Sequence, residues 1–277
     1  MKPLTKEKVK ALHFVRYQWD RQLQQIEMKY YDKEFLQAFN WTPDDFDMTV
    51  VGPRKCIGHF QDSYYYPCLR HSSVTDFPQC YKCVSYSIPI LKCIFEPICW
   101  GDKCPDSICN QPHQVYLAFF NTIPKIGMTS EQRLKLRLYE QGADAFSIIA
   151  TVPNRFSARA LERNISVVLQ MKESYDPEVI LRTFTREIDK KVIEEKYSLI
   201  YTSIKDRFDL KCSKLHYVDV YPLDLPLRSM PILRPTLGLH NGKFVGIKGK
   251  FLIYESKGLN ALRLNDMLGQ YMVLNSS

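Results

Sequence analysis

Apolar and polar residues alternate with a period of two near both ends of the chain, which is typical of half-buried β-strands. Near the N-terminus the alternation runs from Leu12 to Trp19. Near the C-terminus it returns at residues 243–247 and 249–255, after an Asn241-Gly242 pair that is typical of a tight turn. We predict a small twisted sheet or partial barrel near the C-terminus, completed by strands from residues 12–30.

The central part of the chain alternates between strand and helix signals. The expected elements are paired strands at residues 114–118 and 124–128, a helix from the N-cap Ser130 to Glu140 with Gly142 at its end, a strand at residues 146–151, and a helix capped by Ser157. In the last helix the apolar residues Leu161, Ile165 and Leu169 share one face, and Glu162 lies to one side of that face.

Asp176-Pro177-Glu178 is a strong helix start, since an N-cap residue is followed by proline at the first helical position. Apolar residues at three- and four-residue steps extend the prediction to one long amphipathic helix. The chain is therefore predicted to be an α+β protein with five segments. They are a mostly β segment at residues 1–50 with a turn or helical piece around residues 32–40, a cysteine-rich module at 51–113, an α/β domain at 114–175, the long helix at 176–205 and a β-rich domain at 206–277.

Eight of the nine cysteines lie between Cys56 and Cys109. Because no export signal is recognisable, reduced thiols that bind metal are favoured over disulfides. We assign one structural zinc to Cys56, Cys68, Cys80 and Cys83, and a second to Cys93, Cys99, Cys104 and Cys109. The alternatives are interleaved pairs, a ligand contributed by His59 or His71, and an iron–sulfur cluster in the second set. Cys212 is expected to be a small core residue.

The formal net charge is +8, and two four-thiolate zinc sites, each carrying about −2, would lower it to roughly +4. A basic balance favours a polyanionic partner such as nucleic acid. Lys243, Lys248 and Lys250 lie close together in the sequence, and a solvated basic surface is the alternative interpretation for them. No apolar run is long enough to span a membrane, so we expect a cytoplasmic protein without a membrane partner.

Several short motifs resemble the GIY-YIG nuclease superfamily. They are Val115-Tyr116-Leu117, Lys125-Ile126-Gly127, Arg137 on a helix and Leu161-Glu162 on another. The second motif is similar to that of the branch whose second signature is Lys-Ile-Gly. Further motifs, including Cys56-Ile57-Gly58 and Gln141-Gly142-Ala143, resemble a prokaryotic family that joins a cysteine-rich zinc module to a GIY-YIG-like domain. The resemblance covers roughly residues 50–172 and implies a small α/β nuclease-like fold.

The resemblance implies a role for each matching residue. Tyr116 falls on the tyrosine beside the attacking water, Arg137 on the phosphate-contacting arginine, and Glu162 on the glutamate that binds Mg²⁺ or Mn²⁺. Lys125 stands where most active nucleases of the superfamily have a second tyrosine. An ammonium group can bind a phosphate there, but it cannot carry out the proton chemistry of a phenol. His113 is a candidate general base, zinc ligand or structural histidine.

The sequence therefore predicts a zinc-stabilised protein that binds DNA or RNA. In one hypothesis it is a metal-dependent endonuclease that hydrolyses phosphodiester bonds. In the alternative it is a non-catalytic adaptor that grips nucleic acid or docks on a ribonucleoprotein. A scaffold for protein interactions without a nucleic-acid role is the third hypothesis.

Overall fold

In the part of the chain that the structure describes, the strands form three β-sheets, of nine, four and two strands, against which the helices pack. The structure is a computed structural model that describes residues 11–19, 26–31, 36–39, 46–61, 64–86, 93 and 109–274. The strands are β1 Ala11–Trp19, β2 Ile26–Tyr31, β3 Leu36–Phe39, β4 Phe46–Val51, β5 His59–Gln61, β6 Tyr64–Tyr66, β7 His113–Phe120, β8 Ile123–Ser130, β9 Ala145–Val152, β10 His216–Tyr217, β11 Ile232–Leu233, β12 Gly238–Lys248, β13 Phe251–Ser256, β14 Gly258–Arg263 and β15 Tyr271–Leu274. The helices are α1 Tyr81–Val84, α2 Leu134–Gln141, α3 Arg155–Val168, α4 Pro177–Thr183, α5 Lys190–Phe208 and α6 Leu264–Met267.

Strands from both ends of the chain form the nine-stranded sheet, in the order β11-β14-β13-β12-β4-β15-β1-β2-β3. β4 lies between β12 and β15 and pairs antiparallel with both. The prediction that N-terminal strands complete the C-terminal sheet is therefore confirmed, since β1 pairs with β15 and β2 pairs with β1. The predicted turn or helical piece around residues 32–40 contains strand β3 instead, since it pairs with β2.

The four-stranded sheet has the order β10-β9-β7-β8, and all of its pairs are antiparallel. Every residue of the central strand β7 is buried, because both faces are covered. On one face Val115 and Leu117 pack with Ile165 of α3. On the other face Tyr116 packs with Leu138 of α2, in a cluster that also includes Phe251 of the nine-stranded sheet. The two large sheets thus share a core.

The segment at residues 176–205, predicted as one helix, contains α4 and α5 instead. After α4, the hydroxyl of Thr183 donates to the carbonyl of Ile180, and Phe184 is buried against Phe251. A new helix then begins where the side chain of Asp189 accepts from the backbone N–H of Val192 at 3.1 Å. No helix in the described part of the chain combines the length and the apolar character that a bilayer crossing needs.

The start of α3 also differs from its prediction. Asn154, rather than Ser157, is the N-cap, and its side-chain oxygen accepts from the backbone N–H of Ser157 at 2.8 Å. A short 3-10 turn, Glu131–Arg133, lies between Ser130 and α2. Gly142 ends α2 in the left-handed conformation, as predicted.

The turn between β12 and β13 touches the end of α2 and so joins the two sheets. Gly249 has a φ of +61°, and a β-carbon there would lie 2.6 Å from the backbone nitrogen of Gly142. Beside this contact, Lys248 and Asp144 form an ion pair in which each side chain is 2% exposed. Only a residue without a side chain fits at Gly249, because two backbones meet there.

Candidate functional site

Four cysteines converge at one place in the cysteine-rich module. Their sulfurs, those of Cys56, Cys68, Cys80 and Cys83, all lie within 4.8 Å of one another. Cys80 is the N-cap of α1 and Cys83 lies inside this helix, so a single helical turn aims both sulfurs at the same point. A zinc ion with sulfur ligands at about 2.3 Å requires sulfurs about 3.8 Å apart in a tetrahedron. The Cys68 and Cys80 sulfurs are 3.9 Å apart, so the four residues fit zinc.

The environment of these thiols sets what a metal must overcome to bind. Burial raises the pKa of Cys56 to about 11. At Cys80 burial opposes ionisation, but hydrogen bonds from the Cys83 backbone and from neighbouring thiols lower the pKa to about 7. Zinc binding requires all four thiolates, so the metal must displace protons from buried sulfurs. The predicted structural zinc at this set of four is supported by the geometry.

The second predicted set is only partly within the described residues. Cys93 and Cys109 are both buried, whereas Cys99 and Cys104 lie outside the described residues. The second zinc therefore stays a prediction. Within the described ranges, the four-cysteine group alone brings three or more metal-type side chains together.

The two histidines of the module do not join the sulfurs. The ring of His59 stacks on Tyr86 at 3.9 Å and on Tyr66 at 5.1 Å between ring centroids. His71 is exposed and has a φ of 45°. Cys212 packs in the core between β7 and the helices α3 and α5, as predicted for a small core residue.

Tyr116 and Lys125 are joined by a shared partner, Gln141. The amide nitrogen of Gln141 donates to the Tyr116 hydroxyl at 3.1 Å. The ammonium of Lys125 donates to the Gln141 oxygen at 3.1 Å, and the Tyr116 hydroxyl lies 3.3 Å from the same oxygen. Gln141 was named only as part of a family-like motif, and the sequence analysis missed its place in the site. Its position at the last turn of α2, just before Gly142, is the signal that could have indicated it.

The strand register explains why these side chains meet. Tyr116 is paired with Gly127, and Ala118 is paired with Lys125, so Tyr116 and Lys125 point to the same face of the sheet. The ring of Tyr116 covers Gly127, where a β-carbon would lie 2.6 Å from the phenol oxygen. The glycine of the second motif therefore makes room for the tyrosine of the first.

Gly127→Ala is expected to destabilise the protein, because Tyr116 is fully buried and cannot move away from the added methyl group. We expect a loss of about 1–3 kcal/mol in the free energy of unfolding, as for other overpacked sites. Chemical denaturation measures it. The double variant Gly127→Ala/Tyr116→Phe should recover little of this loss, because ring carbons of the tyrosine, 2.7 and 3.0 Å from the added β-carbon, remain in phenylalanine. An unchanged unfolding free energy in the single variant would contradict the packing described.

Lys125 and Arg137 line a cavity of about 280 Å³ between the two large sheets. Burial lowers the pKa of Lys125 to about 8, and the positive charges of Arg137 and Lys250 act in the same direction. The charge of Glu162 opposes this shift. Burial also raises the pKa of Tyr116, so its phenol is protonated at neutral pH.

Glu162 is near Tyr116 and Lys125, but its carboxylate forms an ion pair with another residue. It is buried, and its Oε2 lies 2.7 Å from a guanidinium nitrogen of Arg159. The same nitrogen lies 2.6 Å from Oε2 of Glu173. Burial raises the pKa of Glu162, and the ion pair with Arg159 limits the rise. A divalent cation at Glu162 must therefore compete with Arg159, a contact that the sequence motifs did not indicate.

The structure does not bring His113 to this group. By strand alternation it shares the face of β7 that carries Val115 and Leu117, opposite the face of Tyr116. Its Nδ1 lies 2.8 Å from the carbonyl of Gln111, and burial lowers its pKa. It also lies outside the four-cysteine group. Among the three roles considered, the hydrogen-bonded structural histidine agrees with these contacts.

A family model described as "Protein of unknown function (DUF2797)" matches residues 44–271. The matched region includes the four cysteines, Tyr116, Arg137 and Glu162, and excludes strands β1, β2 and β3. No curated protein matches the chain. No solved structure matches it either.

Proposed function

Since the chain belongs to the family of unknown function DUF2797, we propose its function from the residues of its own site. It is a zinc-stabilised nucleic-acid-binding protein, and the cavity at Lys125 and Arg137 is its phosphate site. At this site it hydrolyses phosphodiester bonds with Mg²⁺ or Mn²⁺. Described cysteines that are free rather than disulfide-bonded support a reducing compartment, the cytoplasm.

The observation that carries the proposal is the convergence of three cations on one cavity. Lys125, Arg137 and Lys250 line it together with two carboxylates, Glu140 and Glu173, so the lining carries an excess of one positive charge. Arg137 is 3.8 Å from Glu140, with which it forms an ion pair at the surface. Among the described residues, neither the Lys125 nor the Lys250 ammonium forms an ion pair with a carboxylate; Lys125 bonds to the neutral amide of Gln141. A concave surface with excess positive charge concentrates anions, and a phosphodiester is the anion that a polynucleotide offers.

Two further features support hydrolysis at this place. Tyr116 on β7, Arg137 on α2 and Glu162 on α3 come from three separate elements, and the charges of Arg137 and Glu162 both act on the Tyr116 phenol. Glu162, which is near the cavity but not part of its lining, would offer an oxygen ligand to Mg²⁺ or Mn²⁺, and the ion would stabilise charge on the phosphoryl oxygens as a Lewis acid. Tyr116 is fully buried with its hydroxyl on Gln141, so it acts by positioning Gln141, whose side-chain oxygen accepts from Lys125 in the cavity.

A specific observation favours a second candidate, the non-catalytic adaptor. The Glu162 carboxylate, which would hold the metal, already forms an ion pair with Arg159. Lys125 stands where most active nucleases of the similar superfamily have a tyrosine. Such a site still binds phosphate through its cations. In that case the protein grips DNA or RNA, or docks on a ribonucleoprotein, without cutting.

The decisive experiment incubates the purified protein with single-stranded, duplex and branched nucleic acids and with Mg²⁺ or Mn²⁺. We expect cleavage by the wild type, and a loss of about 100-fold or more in Glu162→Gln and in Arg137→Met. Glu195→Gln removes a similar charge from the exposed surface of α5 and should cleave like the wild type. Binding that weakens with salt, without cleavage under either metal, would favour the adaptor. Absence of any binding would contradict both candidates.

Anion binding at the cavity is expected to weaken as the pH rises through about 8, the pKa of Lys125. Below this pH the ammonium is charged and attracts phosphate; above it the amine is neutral and the attraction is lost. Fluorescence anisotropy with a labelled oligonucleotide at pH 7 and pH 9 measures the change. In Lys125→Arg the guanidinium stays charged, so the same pH change should have little effect. An equal decrease in both proteins would show that Lys125 is not the titrating group.

A further inference from the structure

One wall of the cavity that Lys125 and Arg137 line is formed by residues outside the segment 114–175. Lys250 comes from the turn between β12 and β13, Tyr17 from β1 and Asn265 from α6. All three belong to the nine-stranded sheet and its short helix. The positive charges of Arg137 and of Arg263 both lower the pKa of Lys250, after the larger effect of burial. This wall therefore adds positive potential to the same space.

The cavity also presents aromatic surface. Tyr17, Phe120 and Tyr175 line it together with the cations. The hydroxyl of Tyr17 donates to the side-chain oxygen of Asn265, and the hydroxyl of Tyr175 donates to the carbonyl of Pro124 at 2.8 Å. These bonds fix the two phenol rings, which come from different elements, and the Lys172 ammonium lies 5.5 Å from the centroid of the Tyr175 ring. A ligand that carries both a planar ring and an anionic group would match rings and cations at once.

The size of the cavity limits which form of nucleic acid enters. At about 280 Å³ it is near the lower end of small-molecule pockets, which are about 300–1,000 Å³. This space suits one nucleotide rather than a stacked base pair. Enzymes that need a base inside a pocket of this kind act on single strands or extrude the base from the duplex.

We propose that this cavity takes a single unpaired nucleotide, with its phosphate between Lys125, Arg137 and Lys250 and its base against Tyr17 and Tyr175. The inference rests on the proposed function and narrows it: the substrates are nucleic acids that offer an unpaired nucleotide. Lys250 binds the phosphate from the wall outside the segment 114–175, and Tyr175 is the stacking surface. Both act in binding, whether or not the bound strand is then cut.

The test measures the affinity of the zinc-loaded full chain for a labelled single strand, the matching duplex, and that duplex with one unpaired nucleotide. We expect the single strand to bind at least about 10-fold more tightly than the duplex, and the unpaired nucleotide to restore most of the difference. Lys250→Met should weaken single-strand binding about 10-fold. Lys243→Met, which removes the same charge at an exposed position of β12, should change it little. Tyr175→Leu should weaken it about 5- to 100-fold through lost stacking.

Competition identifies the ligand chemistry. A nucleoside 5′-monophosphate should displace the strand at lower concentration than inorganic phosphate or the nucleoside alone. Thermal melting of Lys250→Met and Tyr175→Leu near the wild-type temperature shows that the variants are folded, and any variant that melts early is replaced by Lys250→Gln or Tyr175→Met. Equal affinity for single strand and duplex, with Lys250→Met no weaker than Lys243→Met, overturns the inference and leaves the proposed function standing. Binding of the mononucleotide without binding of any polynucleotide supports the cavity and overturns the proposed function.

Discussion

Cys56→Ser is expected to remove zinc from the four-cysteine site and to unfold the module around it. Serine is a poor zinc ligand, and apparent binding energies of structural zinc are about 10–16 kcal/mol at neutral pH. Among the described residues of the module, the buried cluster consists of Cys56, Cys68 and Cys83 with Val74 and Cys80 packed against them, so the sulfurs themselves form most of it. Elemental analysis should show one zinc atom fewer per chain, and limited proteolysis should cut within residues 52–86.

A matched control is available in the same chain. Cys212→Ser also removes a buried thiol, but Cys212 packs in the core beside α3 and α5, away from the four sulfurs. This variant should keep the wild-type zinc content and lose stability only by the amount expected for a polar group in a core. If Cys56→Ser retains as much zinc as Cys212→Ser, the assignment of the four ligands is wrong. Zinc release on acidification, as thiolates are protonated, should precede unfolding of the sheets.

Lys248→Ala is expected to destabilise the protein by about 3–5 kcal/mol, because it leaves the carboxylate of Asp144 buried without its counter-charge. Both side chains of the pair are 2% exposed. Asp144 also accepts from the backbone N–H of Asn121 at 2.6 Å, so it cannot turn toward solvent without losing a second bond. The ammonium lies 5.3 Å from the ring centroids of both Phe184 and Tyr221, and these contacts are lost as well.

Chemical denaturation of two further variants tests this explanation. The double variant Lys248→Met/Asp144→Asn should be more stable than Lys248→Met alone, since no uncompensated charge remains. Arg228→Met breaks the ion pair with Glu255, in which the arginine side chain is 64% exposed, and should cost less than about 1 kcal/mol. Similar losses in Lys248→Ala and Arg228→Met would mean that burial of the pair does not matter.

Lys248 also shows what local sequence patterns cannot predict, namely which lysines of a cluster are exposed. Lys243, Lys248 and Lys250 are close in sequence and were considered as one basic surface, yet Lys243 is exposed, Lys248 is buried and Lys250 is half-buried in the cavity. The difference arises because the turn at Gly249 packs on Gly142, more than a hundred residues earlier in the chain. Periodicity reports the local alternation of a strand but not which other part of the chain covers each face.

Elements that depend on local signals were predicted well. The two strands of the first motifs pair as expected, Gly142 ends α2, and the spacing of Cys80 and Cys83 gives one half of a four-sulfur group. The side-chain ion pairs were not. Glu162 forms an ion pair with Arg159 on the same helix, and Arg159 also pairs with Glu173 in the following loop. No sequence motif includes these two ion pairs.

The position of β4 has a consequence for how the protein is made. Both neighbours of this strand come from the last part of the sheet, β12 at residues 238–248 and β15 at residues 271–274. Such non-local pairing raises the contact order. Folding is then slower, because the entropy cost of closing long loops comes before the stabilising contacts form. During synthesis on the ribosome, the backbone groups on both edges of β4 stay without their strand partners until about two hundred later residues have emerged. A chaperone that shields this early hydrophobic edge should raise the yield of folded protein.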